Sequence, residues 1–457
     1  MSPQIKKVID RSDDHSADTA VRELLQRLSP QGDIVSPAGR KLTEAVFGEP
    51  LSPQQSVERI CQDVRDRGIA GVRFFTRAFD GVELDGANLR VSAEELEDAH
   101  RSAEPAFLET VRRVRDNILH FQRELVPSDI EVVRPPGIRL QQVFVPLQRI
   151  GVCVPGGAAA YPSSVLMTAV PAQAAGVREI VVVAPPTEFG ANNRDVLATC
   201  HELGIGEVYR VGGAQGVAAI GYGCEGIPQV QKIVGPGNLF VALAKKYLYG
   251  EVDIDSIAGP SEVVVIADST SNPKYVAADL LAQAEHSPGA AILITWEEEL
   301  LAAVETEIRQ QLKHLSRGDL ALDCLNEFGL LIGVRSREHA LELTNRIAPE
   351  HLHIEIDDAR DFFSGIRNAG AAFLGHLTPV ALGDYVAGPS HVLPTGATAN
   401  WAHGLNSADF MRSMSVVEYG MDGLRVDGPD VQTLAEKEGL TAHRSSVDIR
   451  LSGNSDC

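Results

Sequence analysis

The 457-residue chain has no long hydrophobic run, no Cys-x-x-Cys pair and no excess of basic charge. Its longest apolar runs, such as Ile180–Ala184 and Val263–Ala267, fall far short of the roughly 20 residues that span a bilayer. Met1 to Asp14 is mostly polar and lacks a hydrophobic signal core. The six cysteines, Cys61, Cys153, Cys200, Cys224, Cys324 and Cys457, are scattered, which argues against a disulfide framework and a thiolate zinc cluster. A reducing, cytoplasmic compartment is expected. Lys and Arg number 41 against 62 Asp and Glu, a net charge of −21. Such a surface repels phosphate backbones and anionic lipid, so neither nucleic acid nor a membrane is an expected partner. A Walker loop and a His-Glu-x-x-His pair are also missing, leaving a soluble enzyme of small molecules as the leading class.

Apolar residues make up 44% and charged residues 23% of the chain, enough to bury a sizeable core. Residues 53–130 read mainly as helices: Ser92 opens a capping box, and Leu96, Phe107, Val111, Val114, Ile118 and Phe121 continue an apolar face. Short β-branched runs then alternate with Ala/Leu-rich stretches. Strands are expected at Arg149–Val154, Glu179–Ala184, Glu207–Val211 and Lys232–Val234. A second series follows at Glu262–Ala267, Ala291–Thr295, Leu330–Val334, Leu352–Ile356 and Ala371–Leu374, with helices between. Such alternation means parallel βαβ units. The expected fold is α/β, with two doubly wound domains facing each other across a cleft and small N- and C-terminal units. The expected division is an N-terminal segment 1–50, a discontinuous α/β domain 51–148 plus 253–384, a second α/β domain 149–252 and a small unit 385–457.

Gly221-Tyr-Gly223-Cys-Glu-Gly226 matches the dinucleotide pattern but follows a helical stretch, so it reads as a helix terminus. The loops Val154-Pro-Gly-Gly157, Val211-Gly-Gly-Ala-Gln215, Gly235-Pro-Gly-Asn238 and Ala258-Gly-Pro-Ser-Glu262 lie at or beside the carboxyl ends of expected strands. Ligands bind there in open α/β sheets, and glycine lets backbone N–H groups approach phosphate. Turns need glycine for their own sake, but several such loops with polar Gln215 and Asn238 point to a nucleotide cleft. Gln283 and His286 share a face near the end of an expected helix Tyr275–His286. Their functional reading needs distant partners, for which Asp384 and His443 are candidates. Glu350 and His351 could supply two proton acceptors, one for an alcohol and one for water. Neighbours in a regular strand point to opposite faces, so joint action requires a loop, which Pro349 allows. His353 reads as a structural strand residue.

Together with Tyr161-Pro-Ser-Ser-Val-Leu-Met167, Asp279-Leu-Leu-Ala-Gln-Ala-Glu-His286, Ala348-Pro-Glu-His-Leu352, Gly383-Asp-Tyr-Val-Ala-Gly388, His391-Val-Leu-Pro-Thr395 and Glu438-Gly-Leu-Thr-Ala-His443, these loops resemble the histidinol dehydrogenase family. The pieces run in family order from Val154 to His443. The resemblance implies oxidation of L-histidinol to L-histidine through bound L-histidinal, with two NAD+, as the last step of histidine biosynthesis. It implies one zinc per subunit on Gln283, His286, Asp384 and His443, and substrate contacts from Ser261, His351, His391 and Glu438 together with those ligands. It also implies NAD near Cys153, Gln215 and Asn238, His351 as base and Glu350 as activator of water. The family fold is two incomplete Rossmann-like domains in an intertwined homodimer, with 253–384 on the substrate side and 149–252 on the NAD side. Glu438 and His443 would then serve the partner's site.

Three positions depart from the family pattern. Cys153 stands where members commonly carry Tyr, Asn400 replaces the Arg of Thr-Ala-Arg, and His403 fills a position often small. The alternative is a dehydrogenase of another primary alcohol, such as a sulfonated diol, on the same scaffold. A zinc hydrolase using Glu350, or a non-catalytic binding protein, are readings from other classes.

Overall fold

The computed structural model describes residues 3–10, 15–28, 37–157, 159–286 and 288–453. Cys457, residues 11–14 and part of the expected 1–50 segment lie outside the described residues. Six parallel strands form one sheet, in the order Lys6–Ile9, Gly329–Gly333, Gly289–Thr295, Ser261–Ala267, His351–Glu355 and Ala371–Leu374. Both faces are covered, which is why these strands are almost continuously apolar. Val263 and Val265 face helix Pro273–Ala284, while Val264, Ile266, Leu352 and Ile354 face helices Ser16–Leu28 and Arg337–Ile347.

A second parallel sheet runs Glu207–Arg210, Glu179–Ala184, Arg149–Cys153, Lys232–Val234 and Asp253–Ile254. The five-stranded sheet starts near its centre, builds outward, then returns to the other side of its first strand, and the six-stranded sheet does the same from Ser261–Ala267 onward, with Lys6–Ile9 added at its edge. That reversal creates a crevice between Arg149–Cys153 and Lys232–Val234, and another between Ser261–Ala267 and His351–Glu355. The fold is mixed α/β with Rossmann-like sheets, as expected. Gly223 caps helix Gly213–Tyr222, so the G-x-G-x-x-G match is a helix terminus.

The helices of residues 53–123 do not join the six-stranded sheet, with which the sequence reading grouped them. Val57, Ile60, Val64, Val72 and Phe75 pack with Val181, Val183 and Ile233 on one face of the five-stranded sheet. Leu96, Val111, Val114 and Ile118 pack with Val152, Val182 and Val208 on the other. Amphipathic periodicity shows which face of a helix is buried but not which sheet receives it. Residues 385–410 also differ from the expected appended unit. Ser390 Oγ donates to the Met167 carbonyl at 2.8 Å, and Ser407 Oγ to that of Gln122 at 2.6 Å, tying this segment into the main body. Strand Met411–Tyr419 then pairs antiparallel with Ile138–Pro146, which pairs with Ile130–Arg134. Helices Met421–Lys437 and Thr441–Ser452 follow as a hairpin.

Glu202 ties helix Arg194–Glu202 to helices Ala93–Ser102 and Pro105–Arg123, with Arg112 at 2.8 Å and His100 at 2.7 Å. The Arg112 hydrogen bond, with a smaller one from His100, outweighs burial and holds its carboxyl down at about 2. A depressed folded pKa contributes stability above the unfolded value of roughly 4.3, which is lost as pH falls toward 2. Glu202→Gln should therefore lower the melting temperature at pH 7. The gap to the parent should close toward pH 2; a gap that is the same at both pH values would contradict this assignment.

Candidate active site

Between the two sheets lies a cavity of about 1770 Å³. Its lining includes the Gly loops of the five-stranded sheet together with Ser261, His286, Glu350, His351, Asp384 and His391. Thus residues spread over much of the chain converge on one space. Gln283 is buried at the end of helix Pro273–Ala284. That helix stops before His286, because the chain must turn into strand Gly289–Thr295, so His286 sits on the turn and is exposed to the cavity.

Glu350 and His351 lie where strand His351–Glu355 begins. Ala348 ends the preceding helix in the left-handed region, φ 49°, and the chain enters the strand from a loop. Glu350 therefore escapes strand alternation, and its Oε2 comes within 3.4 Å of His351 Nδ1. Oε2 also accepts from Ser261 Oγ at 2.6 Å and from the Glu262 N–H at 2.9 Å. His351 Nδ1 lies 3.2 Å from the Glu262 carbonyl, and its Nε2 lies 3.5 Å from Asp384 Oδ1. Burial works against the imidazolium, but Glu350 and then Asp384 outweigh it, and the His351 pKa is pushed up to about 10. Burial alone would raise the Asp384 pKa; its contact with His351 wins and keeps it below the usual carboxylate range. His391 is held low by burial, with its Nδ1 3.0 Å from the Asp384 carbonyl.

Glu262 is a member of this centre that the motif reading quoted without giving a role. It is 2% exposed, and its Oε1 accepts from the N–H groups of Glu350 at 3.3 Å and Gly396 at 3.2 Å. Burial, then the charge of Glu350, pushes its pKa up to about 7. Ser261, Glu262 and His351 all sit at the amino ends of their strands. The expectation that every Gly loop lies at a carboxyl end therefore fails for Ala258–Glu262. This stretch crosses from strand Asp253–Ile254 of one sheet into the start of Ser261–Ala267 of the other.

The remaining three loops do lie at carboxyl ends. At Gly235, φ is +106° and a Cβ would run into the Cys153 carbonyl, so only glycine fits. The Gly235 N–H donates to Asp255 Oδ2 at 2.7 Å, and Lys245 Nζ donates to the Gly235 carbonyl at 3.0 Å. Lys245 and Asp255 are themselves ion-paired, each side chain only 2% exposed. Asn238 accepts from the N–H groups of Phe240 and Val241 as a helix cap, and this structural role accounts for its oxygen. In contrast, helix Gly213–Tyr222 has no side-chain cap, leaving its N–H groups for an anion. Gln215 Nε2 reaches Asp80 Oδ2 at 3.3 Å. Asp80, whose pKa burial raises to about 6, was not found by motif reading because it ends an otherwise ordinary amphipathic helix. Cys153 lines the cavity, but burial pushes its thiol up to about 12, marking it as packing rather than a nucleophile. Asn400 accepts from Asn368 at 2.8 Å, and His403 is exposed.

Glu438 and His443 are not brought to this cavity. Both are solvent-exposed on the C-terminal helical hairpin, and neither lines the cavity.

Two Rossmann-like sheets close over a buried Glu–His pair, an α/β architecture with an enzyme-like cleft. The histidinol dehydrogenase family model matches residues 49–451. A histidinol dehydrogenase from Rhodopirellula baltica is 57% identical over 97% of this chain and 97% of its own length. One from Synechococcus sp. is 47% identical over 87% and 92%. The crystal structure of histidinol dehydrogenase from Elizabethkingia anophelis superposes with a TM-score of 0.87 at 30% identity, covering 99% of both chains. The chain belongs to the histidinol dehydrogenase family.

Proposed function

We propose that the protein oxidises L-histidinol to L-histidine through bound L-histidinal, in two hydride transfers to NAD+. The observation that carries this reading is the buried Glu350–His351 pair opening into the same cavity as the Gly loops. One acid–base centre can then serve both an alcohol and a water.

Zinc fits three donors of this chain. Gln283 has a buried amide nitrogen with no hydrogen-bond partner, and the two ends of an amide interchange by a flip. His286 and Asp384 line the cavity beside it. Held by these three and by His443 from a second copy of the chain, zinc would orient the amine and imidazole of the substrate and neutralise Asp384. NAD+ would accept the hydrides from a seat on the loops at Gly156, Gly212 and Gly235, near Cys153, Gln215 and Asn238.

The Nδ1–H of His351 donates to the Glu262 carbonyl, which leaves Nε2 as its basic nitrogen. With Asp384 neutralised, His351 loses one of the anions that hold it protonated, and it takes the alcohol proton as the first hydride departs. Glu350, aligned by Ser261 Oγ and the Glu262 N–H, removes a proton from the water that attacks the aldehyde. His351 returns its proton to the aldehyde oxygen as the water adds, and then takes a hydroxyl proton of the hydrated intermediate as the second hydride leaves. Ser261, His391 and, from a second copy, Glu438 would hold the substrate.

Support for a homodimer comes from apolar side chains left in solvent. Every residue of strand Ile130–Arg134 is exposed, and Val417, Leu434 and Ile449 are 66%, 63% and 68% exposed. Patches of this kind mark an interaction surface. No described helix is long and apolar enough to cross a membrane, and a cytoplasmic enzyme of the histidine pathway remains our reading.

With limiting L-histidinol and excess NAD+, the zinc-loaded protein should form two NADH per substrate, abolished by chelation and restored by zinc. One NADH per substrate would mean release at the aldehyde and would remove the role given to Glu350. No NADH from dimeric, metal-loaded protein would favour another primary alcohol.

A further inference from the structure

The six-stranded sheet uses the amino ends of its central strands for the site described above. At the opposite, carboxyl end of the same two strands, where open α/β sheets ordinarily bind ligands, lies a separate buried cluster. Asp279, His353 and Glu355 each offer a ligand atom, all within 4.8 Å of one another, and all three residues are buried. His351, His353 and Glu355 alternate along one face of their strand, and Asp279 stands one helical turn before Gln283 on the facing helix.

The hydrogen bonding of this cluster is incomplete in a specific way. His353 Nε2 lies 3.1 Å from the Gly375 carbonyl; a carbonyl only accepts, so Nε2 carries the hydrogen. His353 Nδ1 then stands 2.7 Å from Asp279 Oδ2 without a hydrogen-bonding alignment. At that distance the pair needs a shared cation, either a proton on Nδ1 or a metal ion that draws the two atoms slightly apart. Both Glu355 carboxylate oxygens are buried without a hydrogen-bond partner, on a residue 0% exposed. His376 Nδ1, also buried and unpartnered, faces Glu355 Oε1 from 3.7 Å. Two carboxylates and one imidazole nitrogen therefore gather within 4.8 Å, with His376 Nδ1 beside one of them, and both Glu355 oxygens lack a hydrogen bond, a cost that buried polar groups rarely carry.

We propose that Asp279, His353 and Glu355, with His376 as the fourth donor, form a second site for a divalent transition-metal cation, distinct from the active-site zinc position. The donor set of two imidazoles and two carboxylates suits zinc. Ligand atoms around tetrahedral zinc lie roughly 3.3 Å apart, given bonds of about 2.0–2.1 Å, so the His353–Asp279 pair would open from 2.7 Å while the Glu355 and His376 donors close in. The Nε2–H of His353 held by a backbone carbonyl is the outer contact that orients a metal-binding imidazole. His376, 24% exposed, leans on Asp357, 77% exposed, at 3.1 Å, and provides the way in from solvent. The bound ion would clamp helix Pro273–Ala284 to strand His351–Glu355, the two elements that carry Gln283 and His351.

The test counts zinc per subunit in full-length protein that has been stripped, reloaded with zinc and desalted, by elemental analysis. The parent should hold two, Glu355→Gln one, His286→Ala one and the double variant none. Zinc should also raise the melting temperature of His286→Ala and leave that of the double variant unchanged. Should Glu355→Gln fail to fold, His353→Gln tests the same site. Equal zinc content in the parent and the folded Glu355→Gln protein would overturn the second site and leave a buried proton as the cation at His353. One zinc in the parent, lost in Glu355→Gln but kept in His286→Ala, would support this site and remove the zinc position proposed for the active site.

Discussion

Glu350→Gln is expected to cut oxidation of L-histidinal by about 10²–10⁴-fold, the usual contribution of a positioned general base. Oxidation of L-histidinol to the aldehyde should fall much less. The amide keeps one oxygen, so it can still accept from Ser261 Oγ and the Glu262 N–H, which now bond to Oε2. What disappears is the negative charge that would take a proton from water. The same change removes the charge that, after burial, raises the Glu262 pKa to about 7. The two half-reactions are separable by feeding the alcohol or the aldehyde and following NADH at saturating NAD+. Equal losses on both substrates would show that Glu350 serves the site as a structural anchor rather than as the base for water.

Lys245→Ala is expected to destabilise the fold by about 3–5 kcal/mol, the range for removing one partner of a buried ion pair. Asp255 would be left 2% exposed without its counter-charge. The effect should reach function because the pair also holds Gly235 by both its carbonyl and its N–H. Loosening that loop should raise the Kd for NAD+ along with the loss of stability. Replacing both partners with apolar residues, Lys245→Met with Asp255→Leu, should recover most of the stability but not the NAD+ affinity. Urea unfolding together with dinucleotide titration distinguishes the two effects. An unchanged Kd in a folded Lys245→Ala protein would show that the loop is held by other contacts.

Much of the fold was legible in the sequence. Strands such as Glu179–Ala184 and Lys232–Val234 match their expected limits, because β-branched runs bounded by turn residues have few other stable conformations. Strand Lys6–Ile9 and helix Gly318–Phe328 were missed. The first is a polar four-residue edge strand that makes sense only beside Gly329–Gly333. The antiparallel ribbon of Ile138–Pro146 with Met411–Tyr419 was also out of reach, since its two strands lie far apart in the chain and no local pattern couples them.

The identities of Glu350 and His351 as the proposed acid–base pair follow from side-chain chemistry and motif resemblance in the sequence alone. So do the Gly loops and the exclusion of a Cys-x-x-Cys metal cluster. Tertiary structure brought Glu350 and His351 within 3.4 Å of each other, because a left-handed residue at Ala348 ends the helix and Glu350 stays in the loop before the strand. It also decided that Glu262 belongs to the centre and that Asp255 and Lys245 anchor the loop at Gly235. The same structure set the helices of 53–123 against the five-stranded sheet and left Glu438 and His443 facing solvent. The reason is physical: periodicity and turn chemistry are local, whereas carboxylate–carboxylate coupling, burial of an ion pair and the choice of packing partner depend on distances that only the assembled sheets create.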